Sequence, residues 1–405
     1  MRIIIVQYAG DYREAVYRFA AGQGETYHAQ RYSVNSVAAL TSFAEEVAVL
    51  CCITESPYNE KLPNGVRAIG AGCQHPVDFK AIIQQIEAYQ PTHLILNIPS
   101  REILNWAIKR QLPTITCLAD SFNSKNWRQR LRNFQLVRAL NHPQIQWIAN
   151  HGITASESLC SIGVNPNKII PWDWPYPLTP DAFSAKTLFT GNEPRTLVYV
   201  GLITEAKGVG DALEAVALLR SKNIPVTLKL AGKGDLEVFQ QKAATLNITD
   251  AVEFLGLVDN KSIIPLMRSA DLVLVPSRHD YPEGFPLTIY EALCSRTPIV
   301  ASDHPMFVRQ LRHRVNAMLF PAGQPQAMAG QIEAIFSDTA LYSQISEATA
   351  ATWHQLQLPV KMGDLLARWV NTTPENQQWL YQHRLTSGLY KQQPISQTSV
   401  QLAEA

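Results

Sequence analysis

Residues 271–302, DLVLVPSRHDYPEGFPLTIYEALCSRTPIVAS, restrict the fold more than any other stretch of the chain. The pattern predicts a buried strand at 271–275, a loop rich in proline and charge, a helix opening at Pro286, and a second apolar strand at 298–301. Proline at the first helical position loses no hydrogen bond, because that N–H has no partner within the helix. Gly284, just before it, lets backbone come close to a ligand. The free N–H groups of the first turn and the positive end of the helix dipole then form an anion site at the carboxyl edge of a parallel sheet, where open α/β sheets bind ligands. Two carboxylates bracket this turn. Glu283 precedes it and Glu291 lies about a turn and a half inside, so at a rise of ~1.5 Å per residue they can flank one extended ligand at different depths. A carboxylate accepts two hydroxyl protons at once, which suits the diols of a ribose and a sugar.

The same alternation runs through the rest of the chain. Residues 2–8 are a β-branched run of the kind covered on both faces, followed by Gly10 and a helical pattern at Glu14, Val16, Phe19 and Ala20. This start is Rossmann-like, although the G-x-G-x-x-G fingerprint is missing. Further strands are predicted at 47–53, 93–98 and 114–118, and helices at 79–89 and 102–109. In the second half a strand at 196–200 enters a glycine-bounded loop, 201–208, and a helix at 209–220. A strand at 226–230 leads to Ala231-Gly232-Lys233-Gly234-Asp235, and one at 252–255 ends on Gly256. Strands interleaved with helices argue for parallel, doubly wound sheets. A length of 405 residues suggests two or three domains.

The formal net charge is +1, which gives no global reason to expect a nucleic-acid partner. Charge is concentrated locally instead. Residues 121–142 carry Lys125, Arg128, Arg130, Arg132 and Arg138 against no acid, interleaved with Trp127, Leu131, Phe134, Leu136 and Val137. A basic helix with an aromatic anchor can lie in an anionic lipid interface; a solvated helix with its apolar side in the core is the plainer alternative. The six cysteines, at 51, 52, 73, 117, 160 and 294, form no CxxC pair or metal-spaced cluster and read as reduced thiols. The amino-terminal apolar run is too short for a signal peptide, and no run reaches the ~18 apolar residues of a membrane span. The expectation is a cytoplasmic protein with the option of peripheral contact at an anionic inner membrane face.

Glu283-Gly284-Phe285-Pro286, with Glu291 eight positions after Glu283 and Thr297-Pro298-Ile299-Val300-Ala301-Ser302 beyond, closely resembles the E-x7-E signature of retaining glycosyltransferases of family GT4. The resemblance implies the GT-B fold: α/β, two Rossmann-like doubly wound domains facing a deep interdomain cleft. It covers about residues 196–337 strongly and the first 170 weakly. It implies that Glu283 contacts the hydroxyls of the transferred sugar, that the backbone of Gly284 and Phe285 contacts sugar and phosphate, and that Glu291 holds the ribose. Lys207 matches a lysine that, with Gly201 before it, cradles the diphosphate; the companion arginine position holds Leu202, for which Arg278 or Lys233 can compensate. Gly232 falls on a glycine element near the donor, and Leu255, Gly256 and Leu257 on the segment that reads the nucleobase by its backbone. Asp120 ends a segment in which relatives commonly carry His-Asp; here Ala119 replaces the histidine, and a donor sugar differing at C6 is one reading of that gap. Gly10, Asp11, Tyr12 and Arg13 are the acceptor-side candidates.

The implied organisation is an acceptor-side domain at 1–177, a linker at 178–195, a donor domain at 196–355, helices at 356–390 crossing back to the first domain, and a disordered tail at 391–405. Within 171–177, Trp172 and Trp174 are either a stacking platform or hinge packing. The implied activity is retaining transfer of a sugar from a UDP-, GDP- or ADP-sugar to a hydroxyl of a glycan, lipid or small molecule, without a metal and with no cofactor beyond the nucleotide-sugar co-substrate. Two alternatives stand beside it: a catalytically impaired GT-B scaffold that binds nucleotide or glycan, and a cleft enzyme such as a nucleotide-sugar hydrolase or epimerase.

Overall fold

A computed structural model describes residues 1–8, 10–123, 126–188, 191, 193–281 and 283–390. The expected tail, Lys125 and positions 189, 190 and 192 of the expected linker lie outside the described residues. The first sheet is built from β1 (Arg2–Gln7), β2 (Glu46–Ile53), β3 (Tyr58–Lys61), β4 (Arg67–Cys73), β5 (His93–Leu96), β6 (Thr114–Leu118), β7 (Ile145–His151) and β8 (Ile169–Trp172). Their order is β3-β4-β2-β1-β5-β6-β7-β8, parallel except for the β3–β4 pair. The second sheet holds β9 (Arg195–Val200), β10 (Val226–Ala231), β11 (Val252–Gly256), β12 (Leu272–Val275), β13 (Ile299–Ser302) and β14 (Met318–Phe320), all parallel in the order β11-β10-β9-β12-β13-β14. Two Rossmann-like doubly wound domains therefore face each other across a cleft, the GT-B arrangement. In each sheet the order reverses beside one strand pair, β1/β5 and β9/β12, and a crevice opens there at the carboxyl ends.

Strand periodicity explains the burial. Ile3 and Ile5 enter the core on one face of the first sheet, and Ile4 and Val6 the core on the other. The first of these cores is completed from the far end of the chain. Helix Met362–Val370 contributes Leu365, Leu366, Trp369 and Val370, and helix Pro374–Gln382 contributes Leu380. Burying such side chains is worth roughly 1.5–3 kcal/mol each, so the returning segment is tied firmly to the first domain. In the second sheet Leu197 and Tyr199 serve one core, and Val198, Val273 and Ala301 the other.

Some details differ from expectation. Pro286 is extended, with φ −66° and ψ 136°, and stands as the cap before helix Leu287–Cys294 instead of as its first residue. Trp172 ends β8, is fully enclosed, and donates its indole N–H to the Leu118 carbonyl at 3.2 Å, which excludes it as an acceptor platform. The described part of the linker packs on the second domain, where Leu188 joins the core and Lys186 Nζ donates to the carbonyls of Arg268 and Ala270.

Candidate active site

The site is assembled from the turns that follow β1, β9, β10, β11 and β12, with the turn after β6 against them. The turns after β9 and β10 lie side by side, because Gly201 N donates to Ala231 O at 3.0 Å and Ile203 N to Lys233 O at 2.9 Å. That approach needs glycine: a Cβ on Gly232 would stand 1.8 Å from the Gly201 carbonyl oxygen, at a φ of +150°.

The turn after β12 presents Glu283, which is 5 % exposed. Its Oε1 accepts from Ser277 Oγ at 2.6 Å and from Lys207 Nζ at 2.5 Å, and Lys207 Nζ also lies 4.3 Å from the centre of the Tyr281 ring. A carboxylate this enclosed needs such partners. The backbone oxygen of Glu283 accepts from Ser121 Oγ at 2.5 Å, and a Cβ on Gly284 would sit 3.1 Å from the Ala119 carbonyl oxygen, so the turn after β6 in the first domain touches the E-x7-E turn directly. Asp120, in that same turn, has its carboxyl held above the usual range by burial, and its backbone oxygen accepts from Asn150.

Glu291 lies in the next turn and a half of helix and is buried. Its Oε1 accepts from Asn260 Nδ2 at 3.0 Å, and burial pushes its carboxyl up to about 7. Asn260 follows the segment 255–257 in sequence, and no motif had singled it out. A cleft of about 730 Å³ opens beside Glu291, and its walls include Gly10, Asp11, Tyr12, Arg18 and His28 of the first domain and Gly201, Leu202, Gly232, Lys233, Leu257 and Asn260 of the second. A larger hollow of about 940 Å³ lies beside Arg2, Glu46, Arg67 and Tyr89, at the amino ends of the first sheet and away from both glutamates. Parallel sheets bind ligands at the other end, so the cleft is the candidate site.

Several expected contacts are redirected. Arg13 points away from the cleft, pairing with Glu60 at 3.3 Å and lying 3.7 Å over the Tyr58 ring. Tyr12 lines the wall, but its hydroxyl is buried, donating to Val34 O and accepting from Asn64. Asp11 caps the helix Tyr12–Ala20 and accepts from the Tyr58 hydroxyl at 2.7 Å. Arg278 is fixed by Asp211 through two hydrogen bonds of 2.9 and 2.6 Å and by Glu205 at 2.6 Å, so it ties two loops together and is not a free phosphate cation. Phe285 is buried against Tyr290, leaving only its backbone for a ligand. Leu255 and Gly256 end β11 behind the wall that Leu257 lines. Among the described residues, no three His, Cys, Asp or Glu side chains converge as a metal-binding group.

The two domains also meet at the edge of the cleft. Asn260 N donates to Glu25 O at 3.3 Å, and Tyr176, on which His28 stacks at 4.4 Å, itself stacks on Tyr290 of the second domain at 5.1 Å.

Residues 182–352 match the family described as glycosyl transferases group 1. Over 156 residues the chain is 30% identical to the amylovoran biosynthesis glycosyltransferase AmsK of Erwinia amylovora, covering 38% of each protein. Over 148 residues it is 32% identical to a phosphatidyl-myo-inositol mannosyltransferase of Mycobacterium leprae, covering 36% of this chain and 38% of that one. The matched segments thus span under two fifths of the length of these relatives. Among solved structures, Anabaena Alr3699/HepE in complex with UDP aligns with a TM-score of 0.62 at 15% identity, covering 88% of this chain and 95% of that one. The glycosyltransferase WaaG aligns with a TM-score of 0.63 at 14% identity, covering 92% and 100%. The structural likenesses establish the GT-B fold, and the family match lies in its second domain.

Proposed function

We propose, from the GT-B fold and the group 1 match of the second domain, that this protein transfers a sugar from a nucleotide-diphosphate sugar to an acceptor hydroxyl with retention of configuration and without a metal. The observation that carries this reading is the pair of buried glutamates on either side of one helix start, with Lys207 bonded to the first and Asn260 to the second, at the switch point of the donor-side sheet. In this reading Glu291 accepts the ribose hydroxyls and the backbone at Leu257 meets the base. Lys207 exchanges its bond to Glu283 for the diphosphate, which releases Glu283 to accept hydroxyls of the sugar. The C1–O bond to the diphosphate breaks, the acceptor oxygen bonds to C1 on the same face, and the acceptor proton passes to the departing phosphate oxygen. Charge developing on that phosphate is met by Lys207 and by the N–H groups of helix Leu287–Cys294, fixed in place before the reaction.

Leu202 leaves one cationic position of the diphosphate site empty, which favours the scaffold alternative unless another group serves. Lys233 is that group in our reading. It is exposed on the adjoining turn, its carbonyl bonds Ile203, and it lines the same cleft as Leu202, whereas Arg278 is committed to Asp211. Lys233→Ala is expected to weaken nucleoside-diphosphate binding about tenfold, as for one charge-assisted bond, and Leu202→Arg in that background to restore it; an unchanged affinity in Lys233→Ala removes Lys233 from the site.

The activity is tested by offering UDP-, GDP- and ADP-sugars, including 6-deoxy sugars because of Ala119, and following the anomeric signals of the product by proton NMR with and without a chelator. One donor consumed with retention, at a rate the chelator does not change, is the expected result. Inversion, or activity abolished by chelation, contradicts it.

A further inference from the structure

Helix Trp127–Leu140 has an apolar line where a surface helix is normally polar. At about 100° per residue, its inner face carries the buried Leu136, Ala139 and Leu140, and Trp127, Leu131 and Phe134 fall together on roughly the opposite side. These three are 69%, 52% and 59% exposed. A single exposed Leu means little, but three large side chains on successive turns form a continuous patch. Arg128 and Arg130 flank the line on its two sides and Arg138 continues it by a further turn, all three exposed, with no acid in 121–142. Arg101 of the neighbouring helix Arg101–Lys109 bonds Gln135 and brings Glu102 with it as the nearby counter-charge. An apolar ridge flanked by guanidinium groups, on a chain whose formal charge is only +1, complements a surface that is apolar just beneath a negative rim.

The patch is also placed next to the chemistry. The helix begins six residues after Ser121, whose hydroxyl bonds the Glu283 backbone. A surface that engages Trp127 is therefore within the reach of six residues, at most about 20 Å of chain, of the turn that touches Glu283.

We infer that this helix docks the protein on an anionic phospholipid surface and that the acceptor hydroxyl belongs to a molecule held in that surface. The acceptor clause rests on the transferase reading; the docking clause does not. The test is flotation of the full chain with phosphatidylglycerol-containing vesicles and with pure phosphatidylcholine vesicles, at low and high salt. The variants are Arg128→Glu/Arg138→Glu and Trp127→Ser/Leu131→Ser/Phe134→Ser, each checked by thermal melting and nucleotide titration. Wild type is expected to float with the anionic vesicles at low salt. Charge reversal is expected to lower partitioning by at least about tenfold and the serine variant similarly, with melting and nucleotide binding unchanged. Wild type remaining unbound, or both variants floating like wild type, overturns the proposal, as does a wild-type dimer that the serine variant converts to monomer, since the ridge would then be a self-interface. Intact nucleotide binding with no flotation rejects docking alone; flotation without nucleotide binding rejects the transferase reading alone.

Discussion

At the scale of single residues, the two glutamates occupy different electrostatic settings and so make different predictions. Glu283 is enclosed but paired, and removing Lys207 leaves it with Ser277 alone. Lys207→Ala should therefore lower both nucleoside-diphosphate affinity, by tenfold or more, and stability, by about 2–3 kcal/mol; calorimetry and thermal melting read the two separately. Glu291 lines the cleft, and burial raises its carboxyl from the usual 4.5 to about 7. A carboxyl raised in the folded state contributes stability that is complete below the unfolded value and is lost as pH rises through the folded one. Wild type should thus lose up to roughly 3 kcal/mol relative to Glu291→Gln between about pH 4.5 and 7, and melting curves across that window show it. Ribose hydroxyls donate to the ionised form, so nucleotide affinity should rise with pH through about 7 in wild type and be flat in Glu291→Gln. The E-x7-E pair was legible in sequence because its spacing is fixed by one strand-turn-helix unit, and Lys207 because it sits before the helix start of another. Ser277 was not, because no local pattern marks it within the shared turn, and Asn260 and Ser121 were not, because each reaches the site from another turn. Arg13 misled for the same reason: Glu60 and Tyr58, which turn it away, lie more than forty positions along the chain.

At the scale of elements, the alternating strands and helices were readable because parallel strands buried on both faces are near-continuous apolar runs. Element ends were less so. Pro286 became a cap and Trp172 a strand residue, since the last turn of an element is decided by what packs on it. The glycine turns make the sharper prediction. Gly232→Ala drives a Cβ into the Gly201 carbonyl and should cost at least about 2 kcal/mol, while Gly330→Ala, inside helix Pro325–Ser337 with nothing within 4 Å, should gain about 0.5–1 kcal/mol. Equal effects at the two positions in chemical denaturation would show that the turns after β9 and β10 are not packed as described.

At the scale of the whole molecule, the turns after β6 and β12 touch through Ser121 and Glu283, and the segments around His28 and Asn260 close the other edge of the cleft. The returning helices bind the carboxyl end of the chain to the first domain's core, so the domains are linked twice. The two-domain architecture could be anticipated from strand alternation and the resemblance. The inter-domain contacts could not, because they depend on how two independently folded surfaces meet. The central claim, that the cleft between them holds a nucleotide through Glu291, is tested most directly by calorimetric titration of UDP, GDP and ADP into wild type and Glu291→Ala. The account predicts that one nucleotide binds wild type and is weakened at least about tenfold, ~1.4 kcal/mol, in the variant. No binding to wild type, or equal binding to both proteins, would contradict it.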